Sequence, residues 1–378
     1  MQKARFGLLI LGATLLGCGG RSGGLDPYDG SPGTTGAAGT TGAAGTTDDG
    51  GTDAAGAAGS YGAAGTFVPI PSAVTEIAPS AGCGRPPGQA LGTLVRGTIQ
   101  TMGIKDAGCT AMLDGVLKCG AWSLEREYYV KLPADYDNTK AYPLLFEGPG
   151  CGGKGNTLYL NPALDKVAIR VGLSPPPNAV GHPTSPNQGC FDDKEGDDSV
   201  DFVLYENLWD KLARTLCFDR NRVFATGNST GATLANELGC KYAADPIHPV
   251  RGVMTNRGGF PVEARYAPTC TTKGMAGLWS FSANESAPGS FKDAIPAINR
   301  ALTVNGCTPA GMTYETADYA PFPVSATDAT SCKRATTCPD LYPVVVCEVK
   351  VGSIQGSYDF LVNPAWVTFL QRFEPLPL

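Results

Sequence analysis

Ser229 stands at the centre of Gly227-Asn228-Ser229-Thr230-Gly231, between a β-rich run at residues 221–227 and a stretch of helical character at residues 231–242. A serine flanked in this G-x-S-x-G pattern at a strand-to-helix turn is presented at the tip of the turn. The chemistry open to it is nucleophilic attack. A hydroxyl is a weak nucleophile at neutral pH, so it needs a base within hydrogen-bond reach and a third group that orients the base. It also needs N–H donors facing the developing oxyanion. Thr230, the residue after the serine, offers one. The second is expected from the glycine-rich segment Gly148-Pro149-Gly150-Cys151-Gly152-Gly153, at Gly150 and Cys151, where the glycines allow the close backbone approach such a donor requires.

The base is harder to place. The chain contains two histidines, His182 and His248. His182 lies in "AVGHPTSPNQGC", from which a loop could approach the mouth of a site. His248 precedes the run at residues 250–256 and is expected at the end of the sheet opposite the serine. Lys350 is a third candidate, since Ser–Lys pairs also occur.

These residues need a scaffold that delivers a strand into a helix at Ser229. Apolar and β-branched runs recur at residues 127–133, 142–148, 166–173, 221–227, 250–256, 275–282 and 342–351. Phe202, Tyr205, Leu208, Trp209, Leu212 and Leu216 repeat at helical spacing, and further helices are expected near residues 231–242, 291–304 and 364–373. Alternation of this kind predicts an α/β fold, with a mostly parallel sheet and helices on both faces. Trp209, Trp279 and Trp366 fall at core positions, whereas Trp122 is the tryptophan best placed to meet a ligand. The acidic run at residues 192–201 lacks the spacing of a known calcium loop and reads as a solvated turn.

The chain has 378 residues and a formal net charge of −6, and its Lys and Arg residues form no cluster, so no nucleic-acid partner is expected. Lys3 and Arg5 precede an apolar run that ends in Leu15-Leu16-Gly17-Cys18. That is the pattern of a signal peptide closing on a lipobox, with lipidation expected at Cys18. Residues 19–66 are almost all Gly, Ala, Thr, Ser and Asp, a composition with nothing to bury. As a Gly-rich coil such a tether has ends roughly 35–40 Å apart. The expected organisation is therefore a leader over residues 1–18, a tether over 19–66 and a folded domain over 67–378. It would be exported and held at the cell surface or outer membrane, touching the membrane only through the lipid. Leaving Cys18 aside, 13 cysteines become an even number, expected to pair as disulfides in an oxidising compartment. With no C-x-x-C pair and no histidine nearby, neither metal nor cofactor is expected.

The order and spacing of several pieces resemble carbohydrate esterase family 1, the secreted esterases grouped with polyhydroxybutyrate depolymerases and feruloyl or acetyl xylan esterases. The pieces are "REYYVKLPADYDNTKAYPLLF", "GCFDD", "CFDRNRVFATGNSTGA", "NGC" and "YPVVVCEV". The resemblance implies a disulfide-rich α/β-hydrolase fold and esters of polysaccharides, phenolic acids or polyesters as substrates. It also implies Ser229 as nucleophile, with Thr230 and the loop at Gly150 and Cys151 as oxyanion donors. Relatives begin that loop with His-Gly, where this chain has Pro149-Gly150. The position of their acid is taken by Asn284, beside Glu285, and that of their histidine by Ser353. Two readings stay open: an exported esterase with a degenerate triad, and a catalytically inactive relative that binds a polysaccharide or surface partner.

Overall fold

The computed structural model describes residues 76–105, 112–113, 116–117, 120–160, 162–176, 189–191, 199–243, 245–259, 274–282, 291–322, 330–349 and 364–373. The leader, the tether, His182, Asn284, Glu285, Lys350 and Ser353 lie outside the described residues.

In chain order the strands are β1 (Leu94–Lys105), β2 (Met112–Leu113), β3 (Val116–Leu117), β4 (Gly120–Lys131), β5 (Tyr142–Gly148), β6 (Ile169–Leu173) and β7 (Phe218–Asn228). They continue with β8 (Gly252–Asn256), β9 (Ala276–Ser282), β10 (Tyr319–Pro321), β11 (Thr330–Ala335) and β12 (Val344–Val349). The helices are α1 (Val200–Thr215), α2 (Thr230–Tyr242), α3 (Phe291–Val304) and α4 (Pro364–Gln371). Ten strands form one sheet in the order β1-β4-β6-β5-β7-β8-β9-β12-β11-β10. Pairing is parallel from β6 to β12 and antiparallel at both flanks.

β5, β6 and β8 are buried at every position, which is why their sequences read as continuous apolar runs rather than alternating ones. The period of two still sorts their side chains between two cores. Leu144, Phe146, Val223, Ala225, Val253, Trp279 and Phe281 face one side, with the apolar faces of α1, α2 and α3. Leu145, Phe224, Met254, Leu278 and Val345 face the other, against α4 and Leu160, Leu164 and Ala168. Trp209, Trp279 and Trp366 are all buried, as their positions suggested. The backbone of Trp122 lies in β4, opposite Gly103 of β1. A parallel sheet with helices on both faces and a strand–turn–helix carrying Ser229 at its C-terminal edge is the α/β-hydrolase fold. Among the described residues no helix is long and apolar enough to cross a membrane.

Disulfides join Cys83 to Cys217, Cys151 to Cys190, Cys307 to Cys338 and Cys332 to Cys347, and Cys240 is also disulfide-bonded. The Cys332–Cys347 bond links residues directly opposite one another on β11 and β12.

One sequence expectation is corrected. Ser199 and Asp201, at the end of the acidic run, are not part of a solvated turn. Ser199 caps α1, its hydroxyl accepting from the Asp201 N–H at 3.2 Å. Asp201 is fully buried and meets the equally buried Arg126 of β4 at 2.6 Å. The charge that made this run look wet is neutralised by an arginine 75 residues earlier, so no local pattern announces it.

A second buried cluster fixes the end of β5. Glu147, the residue before the glycine-rich loop, meets Arg170 of β6 through both carboxylate oxygens, at 2.6 and 3.0 Å. Its Oε2 also accepts the N–H groups of Tyr159 and Leu160 at 2.9 and 3.1 Å. Arg170 reaches Asp165 as well, and Asp165 pairs with Lys131. Burial pulls the Arg170 guanidinium down, but Glu147 and then Asp165 outweigh it and hold it above its ordinary value. Arg170→Met leaves Glu147 buried without its cation and is expected to cost about 3–5 kcal/mol, read as a fall in the urea midpoint. The double variant Glu147→Leu/Arg170→Met is expected to recover only part of that, because the Tyr159 and Leu160 N–H groups still lose their acceptor.

Candidate active site

Ser229 occupies the cap position between β7 and α2 with φ 54° and ψ −123°. This is the left-handed side of conformational space, which a side-chain-bearing residue enters only at a cost of about 1–3 kcal/mol. The turn is held from both directions. The Ser229 N–H donates to the Asn256 carbonyl of β8 at 3.0 Å, and the Ser229 carbonyl accepts from Ala232 and Thr233 at 2.9 and 3.1 Å. The hydroxyl makes no capping bond with its own helix.

The glycines around Ser229 have a packing reason. Gly148 and Gly227 are paired neighbours on β5 and β7. The first turn of α2 crosses directly over them. A Cβ on Gly231 would fall 2.1 Å from the Gly148 carbonyl oxygen, and one on Gly227 would fall 2.3 Å from backbone atoms of Gly231. No real side-chain carbon fits there. The same closeness brings the loop after β5 onto the serine, since a Cβ on Gly150 would lie 3.1 Å from Ser229 Cβ.

That loop is pinned on its far side. Cys151 is disulfide-bonded to Cys190, the Gly152 N–H donates to the Gly189 carbonyl at 2.7 Å, and the Gly153 N–H donates to the Gly150 carbonyl at 3.0 Å. Thr230 Oγ1 lies 3.6 Å from Cys151 Sγ. A disulfide sulfur carries no hydrogen, so the hydroxyl is the donor. Thr230 opens α2, and a residue in the first turn has no carbonyl four residues back within the helix to take its N–H. The three residues expected beside the serine, Thr230, Gly150 and Cys151, are therefore brought together around it.

The expected base and acid are less fully placed. His248 lies before β8, at the opposite end of the sheet, with Nε2 3.2 Å from Asp210 Oδ1 of α1 and its ring edge-on to Trp209. It does not reach Ser229. Among the described residues no His or Lys is hydrogen-bonded to the Ser229 hydroxyl. β9 and β12 end on the same edge of the sheet as β7 and lie two and three strands away, about 10 and 14 Å. The segments holding positions 284, 285 and 353 start from those ends.

Sequence reasoning missed Asn256. It is 1% exposed, its carbonyl takes the Ser229 N–H, and its side-chain amide donates to Asn228 Oδ1 at 2.9 Å. Its neighbour Arg257 has φ 54°, so a second strained turn follows the first on the next strand. The signal was present only as the end of an apolar run. Replacing Ser229 separates strain from chemistry. Ser229→Gly is expected to be about 1 kcal/mol more stable than Ser229→Ala, the relieved strain exceeding glycine's extra unfolded-state entropy. Equal urea midpoints for the two variants would show an unstrained turn.

No family model matches the chain. In sequence it is similar to feruloyl esterase D of Neurospora crassa, with 26% identity over 244 residues, covering 63% of this chain and 72% of that one. It is also similar to feruloyl esterase C of Emericella nidulans, with 27% identity over 135 residues, covering 36% of this chain and 47% of the other. The chain thus spans about half the length of that second relative. Among solved structures, a CE1 ferulic acid esterase from Anaeromyces mucronatus overlaps 60% of this chain and 86% of its own, at 15% identity and a TM-score of 0.34. So partial a superposition bears no weight on the site. In fold the chain is an α/β-hydrolase, and in sequence it is similar to feruloyl esterases.

Proposed function

We propose that the domain is an exported carboxylic-ester hydrolase whose substrates are phenolic or related esters borne on polymers, with Ser229 as nucleophile. The observation that carries this reading is the strained turn at Ser229 with the Gly150–Cys151 loop packed against it. Strain of this kind persists where surrounding structure imposes it, and here it sets the proposed nucleophile beside the Thr230 N–H and the Gly150–Cys151 loop. Similarity to feruloyl esterases supports the ester class. The disulfides support an oxidising compartment.

In the proposed reaction Ser229 Oγ bonds to the ester carbonyl carbon, and the negative charge moves to the carbonyl oxygen, which faces the Thr230 N–H and the Gly150–Cys151 loop. Collapse expels the alcohol and leaves an acyl-serine, which water hydrolyses to the free acid. Asn284 or Glu285 takes the place of the acid and Ser353 that of the base. Asn284 can orient an imidazole but supplies no charge, and Ser353 is no base at neutral pH. The proton leaving Ser229 then passes to solvent, and turnover falls well below that of a complete triad. The second reading, a non-catalytic binding domain, is favoured by one observation: serine stands at position 353.

Hydrolysis of methyl ferulate and a short-chain nitrophenyl ester separates the two. The esterase reading expects the wild-type chain to exceed Ser229→Ala by about 100-fold or more, and Ser353→His/Asn284→Asp to raise the rate further by a comparable factor. Equal, near-background rates for wild type and Ser229→Ala, with no gain in the double variant, leave only the binding reading.

A further inference from the structure

At the end of the sheet opposite Ser229, a cavity of about 390 Å³ opens between the start of β1, the last turns of α1 and the segment around Arg85. That size falls within the range of small-ligand sites, ~300–1,000 Å³. Four of its lining residues are charged, Arg85, Arg96, Lys211 and Arg214, and all four are cations; none of the lining residues is acidic. This is unexpected in a chain with net charge −6.

The cavity is built rather than incidental. Its floor is the ring of Tyr128, which lies across β1 because residue 97 is glycine: a Cβ there would fall 2.4 Å from Tyr128 Cζ. Lys211 Nζ stands 5.1 Å from the centre of that ring. The Arg85 wall is tied to the junction of α1 and β7. Cys83 is bonded to Cys217, the Ser80 hydroxyl donates to the Leu216 carbonyl at 2.6 Å, and the Gly82 N–H donates to the Ala213 carbonyl at 2.7 Å.

Arg96 is paired with Glu127 at 2.5 Å. Among the described residues no carboxylate pairs with Arg85, Lys211 or Arg214. Arg214, in the last turn of α1, also complements the C-terminal end of the helix dipole, which accounts for its presence there. It does not account for Lys211 or for Arg85, which a disulfide-anchored turn brings to the same cavity.

We propose that this cavity binds a phosphate-bearing anion. Three uncompensated cations around one opening call for concentrated negative charge. A phosphomonoester carries about −1.5 to −2 on a single group, whereas an acidic sugar carries one charge per residue. Arginine forks also match phosphate oxygens in pairs. The site stands independently of the esterase reading, since it lies at the far end of the sheet. Pro79 bridges Asp219 near the start of β7 at this same end. Either a soluble phosphate ester or a phosphate-bearing lipid headgroup presents the group such a site would take.

The test uses the full chain with Cys18→Ser, so that no acyl group decides the outcome. Its probes are pyrophosphate in titration calorimetry and phosphatidylcholine vesicles with and without 20% phosphatidic acid in co-sedimentation. Arg85→Gln/Lys211→Gln/Arg214→Gln is expected to weaken binding about tenfold or more, while Arg300→Gln on α3 leaves it unchanged. Binding is also expected to fall as salt is raised. Pyrophosphate binding without vesicle association assigns a soluble phosphate ester, and association that requires phosphatidic acid assigns a headgroup. Two results overturn the proposal: neither probe bound by the parent chain, or binding retained in the triple variant.

Discussion

The geometry of the candidate site depends on one steric constraint, the passage of the first turn of α2 over the ends of β5 and β7 at backbone contact. Gly148, Gly227 and Gly231 leave no room for a β-carbon between them. Because the helix starts so close to the sheet, the chain must reverse within a single residue. Ser229 is that residue, and its φ of 54° is the consequence. The cost of about 1–3 kcal/mol is carried by the buried elements on either side. The same contact draws the Gly150–Cys151 loop against the serine, so the proposed nucleophile and its proposed oxyanion donors are set by one packing event.

Around that contact the loops are held by interactions too distant in sequence to be local. Glu147 ends β5 by binding Arg170 and two backbone N–H groups, which fixes where the glycine-rich loop departs and where residues 159–160 return. Cys151–Cys190 fixes the loop's outer side, and Arg126–Asp201 ties the start of α1 to β4. A buried pair of this kind adds little net stability over an apolar pair, but breaking it is costly, so it specifies position more than it strengthens the fold. The opposite end of the sheet is organised differently. There Cys83–Cys217 and the Ser80 hydroxyl hold the Arg85 turn against α1, and cations gather without carboxylates.

The central strands were legible because they are buried on both faces and must be apolar throughout. Residues 142–148 were read as a strand with the bounds that β5 has. The flanking strands were not. β1 reads "LVRGTIQTMGIK" and β11 "TSCKRA", with polar residues interspersed, and both pair antiparallel near the sheet edges where water covers part of them. β4 proved longer than residues 127–133 for the same reason: its first half pairs only with β1. Asp201 was misread because an acidic neighbourhood predicts solvent, while its partner Arg126 sits on a strand whose position nothing nearby reveals.

The sequence by itself determined that the domain is α/β, that Ser229 sits at a strand-to-helix turn and that the chain carries few candidates for a base. Periodicity, glycine placement and residue counts are local properties, and local properties survive in one dimension. Only the tertiary structure decided that the glycines are required by a helix crossing a sheet, that Asn256 supports the serine and that His248 faces Asp210 at the wrong end. Likewise, the gathering of Arg85, Lys211 and Arg214 around one cavity required the fold. Each depends on elements more than 20 residues apart meeting through strand order and register, which hydrophobic pattern constrains but does not specify.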